Sequence, residues 1–561
     1  FKTPCLSALA GGTYTIGSSP SDDFPSFDSV ATILNGCGIS GPVVFNVQAG
    51  TYVDKLHLQS VPGVSGTNTI TFNGTGGSDS LIYNGQSHQT AVLIENTSQV
   101  TLNAMTIVNN GTSEAFGVLL MGNSDTITIS NTTVVVDTTG SGSDVVGILT
   151  SGSYVNDFTE GADVDYLTIE SSTVIGGSTG INLEGTATDD PAMHIMIRNN
   201  HVYSQMTYGI YVDEAENISF IGNTIDKPRG TTDGIYCFDM KNVVLEENQI
   251  AVTDYAVYLS DINDGYAVST PSRLVNNMIS STTDYGIYLN DFENIEVYHN
   301  SVMGEPAMAI NDQDTVWVVN NIFVSTGDFA FESFDNFNGS EQVDYNLYFS
   351  GNSDAFDIGT STHTTLADWQ TADAVHNANS VYGDPFFLNA PEDLHVIGVL
   401  ANDVGDNSLG ITVDIDGDTR PQAPSTIVDM GADEFTPLGD DAALLEIITQ
   451  VGCGDSTTAV SLVFQNIGQN TITSLPMTVN LSGGLTGTYS ATFNGSLPSY
   501  QIDTLQVGVF NTYAGVNGLM VGGDLNLSGD QDLSNDTLSA GPYNYVSFEP
   551  VGFDSTYCVQ E

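Results

Sequence analysis

Basic residues that could take part in catalysis are scarce in the middle of the chain. Between residues 90 and 325 the sequence contains Arg198, Lys227, Arg229, Lys241 and Arg273. A basic side chain beside bound calcium can abstract a proton from an acidic sugar, as a polysaccharide lyase requires. Arg198, close to His201, and Lys227, in an apparent loop, are the candidate bases. The alternative to catalysis for these two residues is an exposed position with a structural role. For Lys241 the alternative is an ion pair on a solvated face.

Carboxylates are abundant, and a pair of them could hydrolyse a glycosidic bond. A glycosidase needs two carboxyl groups roughly 5–10 Å apart. Asp213 and Asp239 follow similar Gly-Ile-Tyr phrases, and Asp261 and Asp291 come at similar offsets. The chain has 68 Asp and Glu residues, so chance pairs are expected. Repetition at equivalent positions therefore favours a structural turn column over a catalytic pair.

Four tyrosines at repeated positions could stack on sugar rings. Each follows a Gly-Ile or Ala-Val pair, and they are Tyr211, Tyr236, Tyr258 and Tyr288. Aromatic rings offer flat apolar faces with a polar edge, which suits carbohydrate. The alternative is a tyrosine ladder that stabilises a sheet without binding a ligand.

One acidic loop resembles the start of a calcium-binding loop. Asp414, Asp416 and Asp418 alternate as the first ligands of an EF-hand do, but Thr419 and Ser425 stand where that loop needs Gly and Glu. The loop is not an EF-hand. Two possibilities stay open, that the protein binds calcium here and that it has no cofactor. A second acidic loop covers residues 530–536.

The elements that would carry these residues come from an internal repeat. The phrase Gly-Ile-Tyr recurs, and so does Asn-x-apolar, at Asn200, Asn223, Asn248, Asn277, Asn300 and Asn321. The last series advances by about 24 residues per step, and short runs rich in Val, Ile, Thr and Tyr lie between turn residues. Three short strands per turn of the chain predict a parallel β-helix, in which stacked Asn side chains can hydrogen-bond along the stack.

The two ends of the chain differ from this repeat. Residues 25–36 place Phe27, Val30, Ala31 and Leu34 on one helical face, which predicts a helix capping the first coil. Alternating segments after residue 440 predict an immunoglobulin-like β-sandwich. The predicted fold is all-β, with a cap at 1–41, a β-helix at 42–438 and a sandwich at 439–561.

Motifs near both ends of the β-helix resemble a known family. GPVVFNVQAGTYVDKLHLQ (41–59) resembles the opening of secreted right-handed β-helix proteins, including pectin-esterase-like ones. VDYNLYF (343–349), DIDGDTRPQ (414–422) and DMGADEF (429–435) are similar to the closing coils of bacterial right-handed parallel β-helix repeat proteins, common among secreted Bacteroidetes proteins. The resemblance implies export, implies that Arg420 pairs with Asp433 or Glu434, and leaves the activity open.

The cysteines fit an exported protein. There are five, and the favoured local pairings are Cys5 with Cys37 and Cys453 with Cys558, leaving Cys237 as a buried thiol. Sequence spacing does not determine the connectivity. The chain begins at Phe1, so we expect a processed product or a segment of a longer protein.

Composition excludes several functional classes. The formal charge is −60, from 8 Lys and Arg against 68 Asp and Glu. Nucleic acid and anionic membrane surfaces both require clustered basic residues. No apolar segment approaches the length of a transmembrane helix. Only 14% of residues are charged and 40% are hydrophobic, so the chain is not a disordered acidic tail.

Three functions agree with these observations. The first is an exported structural or adhesive module of a large surface protein, a rigid element that self-associates, joins neighbouring modules or binds surface polymers. The second is a polysaccharide lyase or hydrolase that acts on an acidic glycan. The third is carbohydrate binding without catalysis through the four tyrosines. Electron microscopy of native material separates the first from the others.

Overall fold

A computed structural model describes residues 7–83, 89–140, 144–161, 164–185, 191–263, 270–313, 315–337, 339, 341–451, 457–511 and 516–545. By their internal contacts the residues form two compact units. The first contains residues 1–396 and 400–434, and the second contains residues 397–399 and 435–561.

The secondary structure is almost entirely β-strand. The first strands are Gly12–Ile16 (β1), Val43–Val47 (β2), Gly50–Val53 (β3), Leu56–Gln59 (β4), Ile70–Asn73 (β5), Asp79–Tyr83 (β6), Gln89–Glu95 (β7), Val100–Asn103 (β8), Thr106–Asn109 (β9), Ala115–Met121 (β10), Ile127–Ser130 (β11), Thr133–Val135 (β12), Val145–Thr150 (β13), Thr168–Glu170 (β14), Thr173–Ile175 (β15), Thr179–Glu184 (β16), Ala192–Arg198 (β17) and His201–Tyr203 (β18). The next are Tyr208–Ile221 (β19), Thr224–Asp226 (β20), Asp233–Glu246 (β21), Gln249–Val252 (β22), Val257–Ile262 (β23), Ser272–Val275 (β24), Met278–Ser281 (β25), Ile287–Phe292 (β26), Ile295–Tyr298 (β27), Ser301–Met303 (β28), Met308–Gln313 (β29), Val316–Val319 (β30), Ile322–Ser325 (β31), Phe331–Ser333 (β32), Gln342–Asp344 (β33), Leu347–Ser350 (β34), Phe356–Ile358 (β35), Ser361–His363 (β36), Val381–Tyr382 (β37), Phe387–Asn389 (β38) and Asp393–Val396 (β39).

These strands stack as the coils of a parallel β-helix. Two strands of a typical coil belong to a 24-stranded sheet and the third belongs to a 13-stranded sheet. Strands of successive coils pair in parallel, with Ile181, Ile210 and Ile235 in consecutive register. Alternate residues of each strand point into one continuous apolar core. The predicted stacking of three short strands per coil is confirmed.

The Asn-x-apolar repeat forms a buried hydrogen-bonded ladder. In each step an Asn side-chain Nδ2 donates to the Oδ1 of the Asn in the next coil, at distances such as 3.0 Å from Asn223 to Asn248 and 2.9 Å from Asn248 to Asn277. The same Oδ1 accepts the backbone N–H of the preceding Asn, so Asn223 N also donates to Asn248 Oδ1. The predicted ladder is confirmed. The left-handed backbone lies one residue earlier, at Asn199, Gly222, Glu247, Asn276, His299, Asn320 and Tyr345.

The helix predicted near the start is present. It spans Phe27–Cys37 (α1), begins at Ser26 with a capping box, and buries Phe27, Val30, Ala31 and Leu34. Its role as a cap of the first coil stays a prediction. A second helix, Leu366–Ala372 (α2), buries Trp369, and Asn407–Leu409 forms one turn of 3-10 helix.

The second unit is built from antiparallel sheets. Its strands are Ala442–Val451 (β40), Thr457–Asn466 (β41), Ile472–Ser482 (β42), Gly487–Leu497 (β43), Ile502–Asn511 (β44), Val516–Leu525 (β45) and Thr537–Tyr545 (β46). β40, β41 and β44 form one sheet, and β42, β43, β45 and β46 form another. Phe464, Leu475 and Leu519 belong to their common apolar core.

Cysteine positions are only partly described. Cys37 is disulfide-bonded and Cys237 is a buried free thiol. Cys5, Cys453 and Cys558 lie outside the described residues, so the two predicted pairings stay predictions.

Candidate functional site

The four predicted tyrosines form one column on the outside of the β-helix. Tyr211, Tyr236, Tyr258 and Tyr288 are in consecutive register on β19, β21, β23 and β26. Their ring centroids are 6.2, 4.3 and 5.4 Å apart, with interplanar angles of 14, 10 and 23°. The strand alternation turns their neighbours Ile210 and Val257 into the core, so the rings face outward.

A second column of tyrosines lies beside the first, and sequence reasoning missed it. Tyr208, Tyr255 and Tyr285 precede the repeated small-apolar pair instead of following it. Tyr255 and Tyr285 stack at 5.4 Å, and Tyr208 lies 5.3 Å from Tyr211. The signal was present as Tyr-Gly-Ile and Tyr-Ala-Val in the same phrases. We call these seven residues the tyrosine face; six are half-buried and Tyr211 is buried.

An inserted loop, residues 151–161, meets the tyrosine face at one end. Phe158 stands edge-on to Tyr211 with a centroid distance of 5.0 Å and also contacts Tyr208. Tyr154 donates from its hydroxyl to Glu95 Oε1 at 2.6 Å. The loop therefore extends from the coil of Tyr211 back to the coil of Glu95, and it leaves Tyr154 and Phe158 about half exposed.

Three carboxyl groups lie where this loop meets the face. Glu184 and Asp213 are register partners on β16 and β19, directly beyond Asn182 and Tyr211. Asn182 Nδ2 donates to the backbone oxygen of Asp157 at 3.1 Å, which brings Asp157 to the same place. Asp157 and Glu184 are almost fully buried. One carboxyl oxygen of each of the three, together with Asn182 Oδ1, is buried without a hydrogen-bond partner.

Burial keeps these acids protonated to unusually high pH. It raises the pKa of Glu184 to about 8, assisted by the charges of Asp213 and Asp157. It raises the pKa of Asp157 to about 7, assisted by Asp144, and that of Asp213 to about 6, assisted by Asp239. Glu184 is therefore largely a neutral acid at pH 7, capable of donating a proton.

The predicted turn column of aspartates is correct for three residues and wrong for Asp213. Asp239, Asp261 and Asp291 have left-handed backbones, as turn residues would. Asp213 instead pairs with Phe238, one residue before that column. Asp213 follows the tyrosine of its repeated phrase by two residues, whereas the other three follow theirs by three, and a difference of one residue gives the side chain a different environment.

The two predicted bases are not on the tyrosine face. Arg198 ends β17 on the neighbouring face of the coil and pairs with Glu170, Nε donating to Oε2 at 2.8 Å. Lys227 follows β20 of the 13-stranded sheet, is 71% exposed, and lies 3.3 Å from Asp226. Lys241 forms a 3.9 Å ion pair with Glu216, which is the non-catalytic role predicted from the sequence as its alternative.

Lys227 borders a separate cavity of about 370 Å³. The cavity is lined by β-helix residues including Asp226 and Met278, and by the closing segment that contains Asp393 and His395. His395 Nδ1 lies 2.5 Å from Asp393 and Nε2 lies 2.7 Å from Asp416. These two carboxylates raise the pKa of His395 to about 9, so its imidazolium is the counter-charge of this acidic cluster.

The predicted calcium ligands Asp414, Asp416 and Asp418 have different roles. Asp414 is buried, and its oxygens accept the backbone N–H groups of Asp416, Asp418 and Glu434. Asp416 pairs with His395, and Asp418 is exposed. In the described part of the chain, the group of three with converging ligand atoms is His395, Asp416 and Asp433. The structure therefore does not gather the three predicted carboxylates into one ligand set.

The ion pair implied for the closing coils is present. Arg420 Nη1 donates to Glu434 Oε2 at 3.0 Å, and both side chains are buried. Arg420 also donates to the backbone oxygen of Gly431 at 2.8 Å. These bonds hold the closing segment together, so the role of Arg420 is structural.

Comparison with known proteins supports the fold. A family model described as a right-handed β-helix region matches residues 156–323. Together with the observed parallel coils, this identifies a right-handed parallel β-helix protein. No curated protein matches the chain. Among the described residues, no helix is long and apolar enough to cross a membrane.

Similar solved structures are distant. The A-module of a mannuronan C-5 epimerase from Azotobacter vinelandii is 11% identical, covers 64% of this chain and 96% of its own, and has a TM-score of 0.40. A periplasmic alginate epimerase is 11% identical, covers 60% of this chain and 79% of its own, and has a TM-score of 0.42. The surface adhesin PfbA of Streptococcus pneumoniae is 12% identical, covers 64% of this chain and 86% of its own, and has a TM-score of 0.32. These similarities carry no argument about activity.

Proposed function

We propose that this chain is an exported adhesive module that binds a neutral glycan chain along the tyrosine face. The observation that carries the proposal is the paired column of seven outward-facing tyrosines. Successive coils lie roughly 4.8 Å apart, so the rings form a continuous platform along the stack. An extended polymer could contact several of them at once, which a compact ligand could not.

The charges around the platform favour a neutral sugar. The ionisable side chains that act on these tyrosines include Asp213 at Tyr211, Asp233 at Tyr208 and Glu332 at Tyr285. Burial raises their pKa values to about 6, 7 and 7, so they carry partial to nearly full negative charge at pH 7. An acidic glycan would meet charge of its own sign, because no basic residue is among these neighbours. This argument disfavours the acidic substrate that the sequence suggested for an enzyme.

We expect loss of glycan binding when the centre of the platform is removed. Each aromatic contact is worth about 0.5–1.5 kcal/mol, so Tyr236→Ser with Tyr258→Ser should weaken binding about 5- to 140-fold. Titration of the full chain with neutral hexasaccharides of several linkages, followed by calorimetry, measures the change.

The control for this experiment is Tyr166→Ser. Tyr166 is exposed and stacks on His194 away from the tyrosine face, so its removal should leave the affinity unchanged. Equal binding by the double variant and the control would contradict the proposal. So would binding of an anionic polymer such as polygalacturonate with no binding of neutral sugars.

Glycoside hydrolysis is the second candidate function. The pairing of Glu184 with Asp213 at the end of the platform favours it, because a neutral acid beside a carboxylate is the arrangement that this reaction requires. The lyase alternative has less support, since neither Arg198 nor Lys227 lies on the platform. Release of reducing ends by the wild type, abolished in Glu184→Gln with binding retained, would distinguish hydrolysis from binding alone.

Other parts of the hypothesis remain proposals. They are the immunoglobulin-like character of the second unit, partners that are further copies or neighbouring modules, an extracellular location, and the two predicted disulfide pairings. Sedimentation velocity of the purified chain across a concentration range tests self-association directly.

A further inference from the structure

The second unit has an unusual charge composition. Residues 435–561 contain nine Asp and three Glu but no Lys, Arg or His. A carboxylate buried in this unit therefore has no basic side chain of its own unit to balance it. It must take up a proton or a cation from solution.

Such a buried carboxylate is Asp441, at the start of β40. Asp441 is fully buried, and its Oδ1 accepts from Asn535 Nδ2 at 3.1 Å. Its Oδ2 has no hydrogen-bond partner. Buried polar atoms are nearly always paired, so an unpartnered one indicates a missing ligand such as a water or an ion.

Two more unpartnered oxygens come from the acidic loop before β46. Asn535 Oδ1 and Asp536 Oδ1 are both buried without a partner. The backbone joins this loop to β40, since Leu444 N donates to Asn535 O, and to the end of β45, since Leu525 N donates to Asp536 O, both at 3.0 Å. Asp530 Oδ2 accepts from Ala442 N at 3.2 Å, which places a third carboxylate, after those of Asp441 and Asp536, against the start of β40.

We propose that Asp441, Asn535 and Asp536, with Asp530 beside them, form a binding site for a hard divalent cation, calcium in preference to zinc. All the available atoms are carboxylate or amide oxygens, the ligands that calcium takes, and the unit has no His for a transition metal. The cation would join the loop at 530–536 to the start of β40 and supply the positive charge that this unit lacks.

Calcium titration of the full chain tests this site. Both tryptophans, Trp317 and Trp369, belong to the β-helix unit, so tryptophan fluorescence follows that unit and calorimetry follows both. We expect calcium, compared with EGTA, to raise the melting temperature of the calorimetric transition that tryptophan fluorescence does not report. An unchanged transition in the wild type would overturn the proposal without any variant.

Substitution then locates the site. Asp441→Asn with Asp536→Asn should lose one bound calcium ion or bind it at least about tenfold more weakly. The control is Asp503→Asn, because Asp503 is an exposed carboxylate of the same unit. In EGTA the double variant should melt no lower than the wild type, since it has lost uncompensated charge. Equal calcium stoichiometry and affinity in the double variant and the control would contradict the assignment. A calcium ion bound elsewhere in the chain would be bound equally by both variants, so only an ion at the proposed site can make them differ.

Discussion

Replacing Asn248 by Asp should destabilise the β-helix by about 3–5 kcal/mol, the cost of an uncompensated buried charge. The change exchanges one NH₂ group for oxygen in the middle of the buried ladder. Asn248 Nδ2 donates to the backbone oxygen of Phe220 at 2.8 Å and to Asn277 Oδ1 at 2.9 Å. Both acceptors would face an oxygen of the new carboxyl group instead of a donor.

The effect should also depend on pH. A buried Asp at this position has its pKa raised by desolvation, so the fold is least destabilised where the carboxyl group is protonated. Stability relative to the wild type should therefore be lost as the pH rises from about 4 towards the raised pKa of the folded state. The ladder is continuous from Asn200 to Asn346, so the loss affects neighbouring coils.

Urea unfolding followed by tryptophan fluorescence measures this change in the β-helix unit. The matched control is Asn352→Asp, because Asn352 is exposed and uses its Oδ1 as an acceptor for Ser353 N, a role that Asp keeps. We expect the control to change stability by less than about 0.5 kcal/mol. Similar midpoints for the two variants would mean that the ladder contributes little.

Glu184 should make the β-helix less stable as the pH rises through neutrality. Its pKa is raised from 4.5 to about 8 in the folded chain, mainly by burial. The folded chain therefore holds a proton that the unfolded chain has released between these values. This contribution to stability is complete below about pH 4.5, falls as the pH rises, and is lost above about pH 8.

Glu184→Gln removes this titration while keeping the shape of the side chain. At pH 9 the variant should be more stable than the wild type by on the order of 3–5 kcal/mol, and at pH 4 the two should be nearly equal. Asp157 and Asp213 titrate nearby, so part of the pH dependence remains in the variant. Urea midpoints by tryptophan fluorescence at pH 4, 6, 7.5 and 9 give the difference.

The exposed Glu392 provides the control for this series. Glu392→Gln lies in the same unit, and its stability difference from the wild type should be small because the side chain is exposed. If the Glu184→Gln and wild-type curves run parallel across the whole range, Glu184 is ionised in the fold. The proposed acid of the second candidate function would then be excluded as well.

The periodic part of this protein could be predicted from its residues. Each coil buries its apolar side chains only against its neighbours, so a repeat such as Gly-Ile-Tyr or Asn-x-apolar must stay in register along the stack. That requirement alone led to the parallel coils, the Asn ladder and the column from Tyr211 to Tyr288. The helix Phe27–Cys37 followed in the same way from a local apolar face.

What only the tertiary structure decided lies outside the repeat. Asp157 reaches Glu184 and Asp213 through an inserted loop, and Asp441 meets Asn535 from nearly a hundred residues away. Contacts made by loops over such separations leave no periodic pattern in the sequence. The entropy cost of closing a loop grows only slowly with its length, so the sequence separation does not indicate which distant segments will meet. The single-residue register that separates Asp213 from Asp239 is visible in the sequence, since Asp213 follows Tyr211 by two residues and Asp239 follows Tyr236 by three, but the burial that this register gives Asp213 is not. Carboxyl groups acquire their chemistry from burial and neighbours, and only the folded chain determines both.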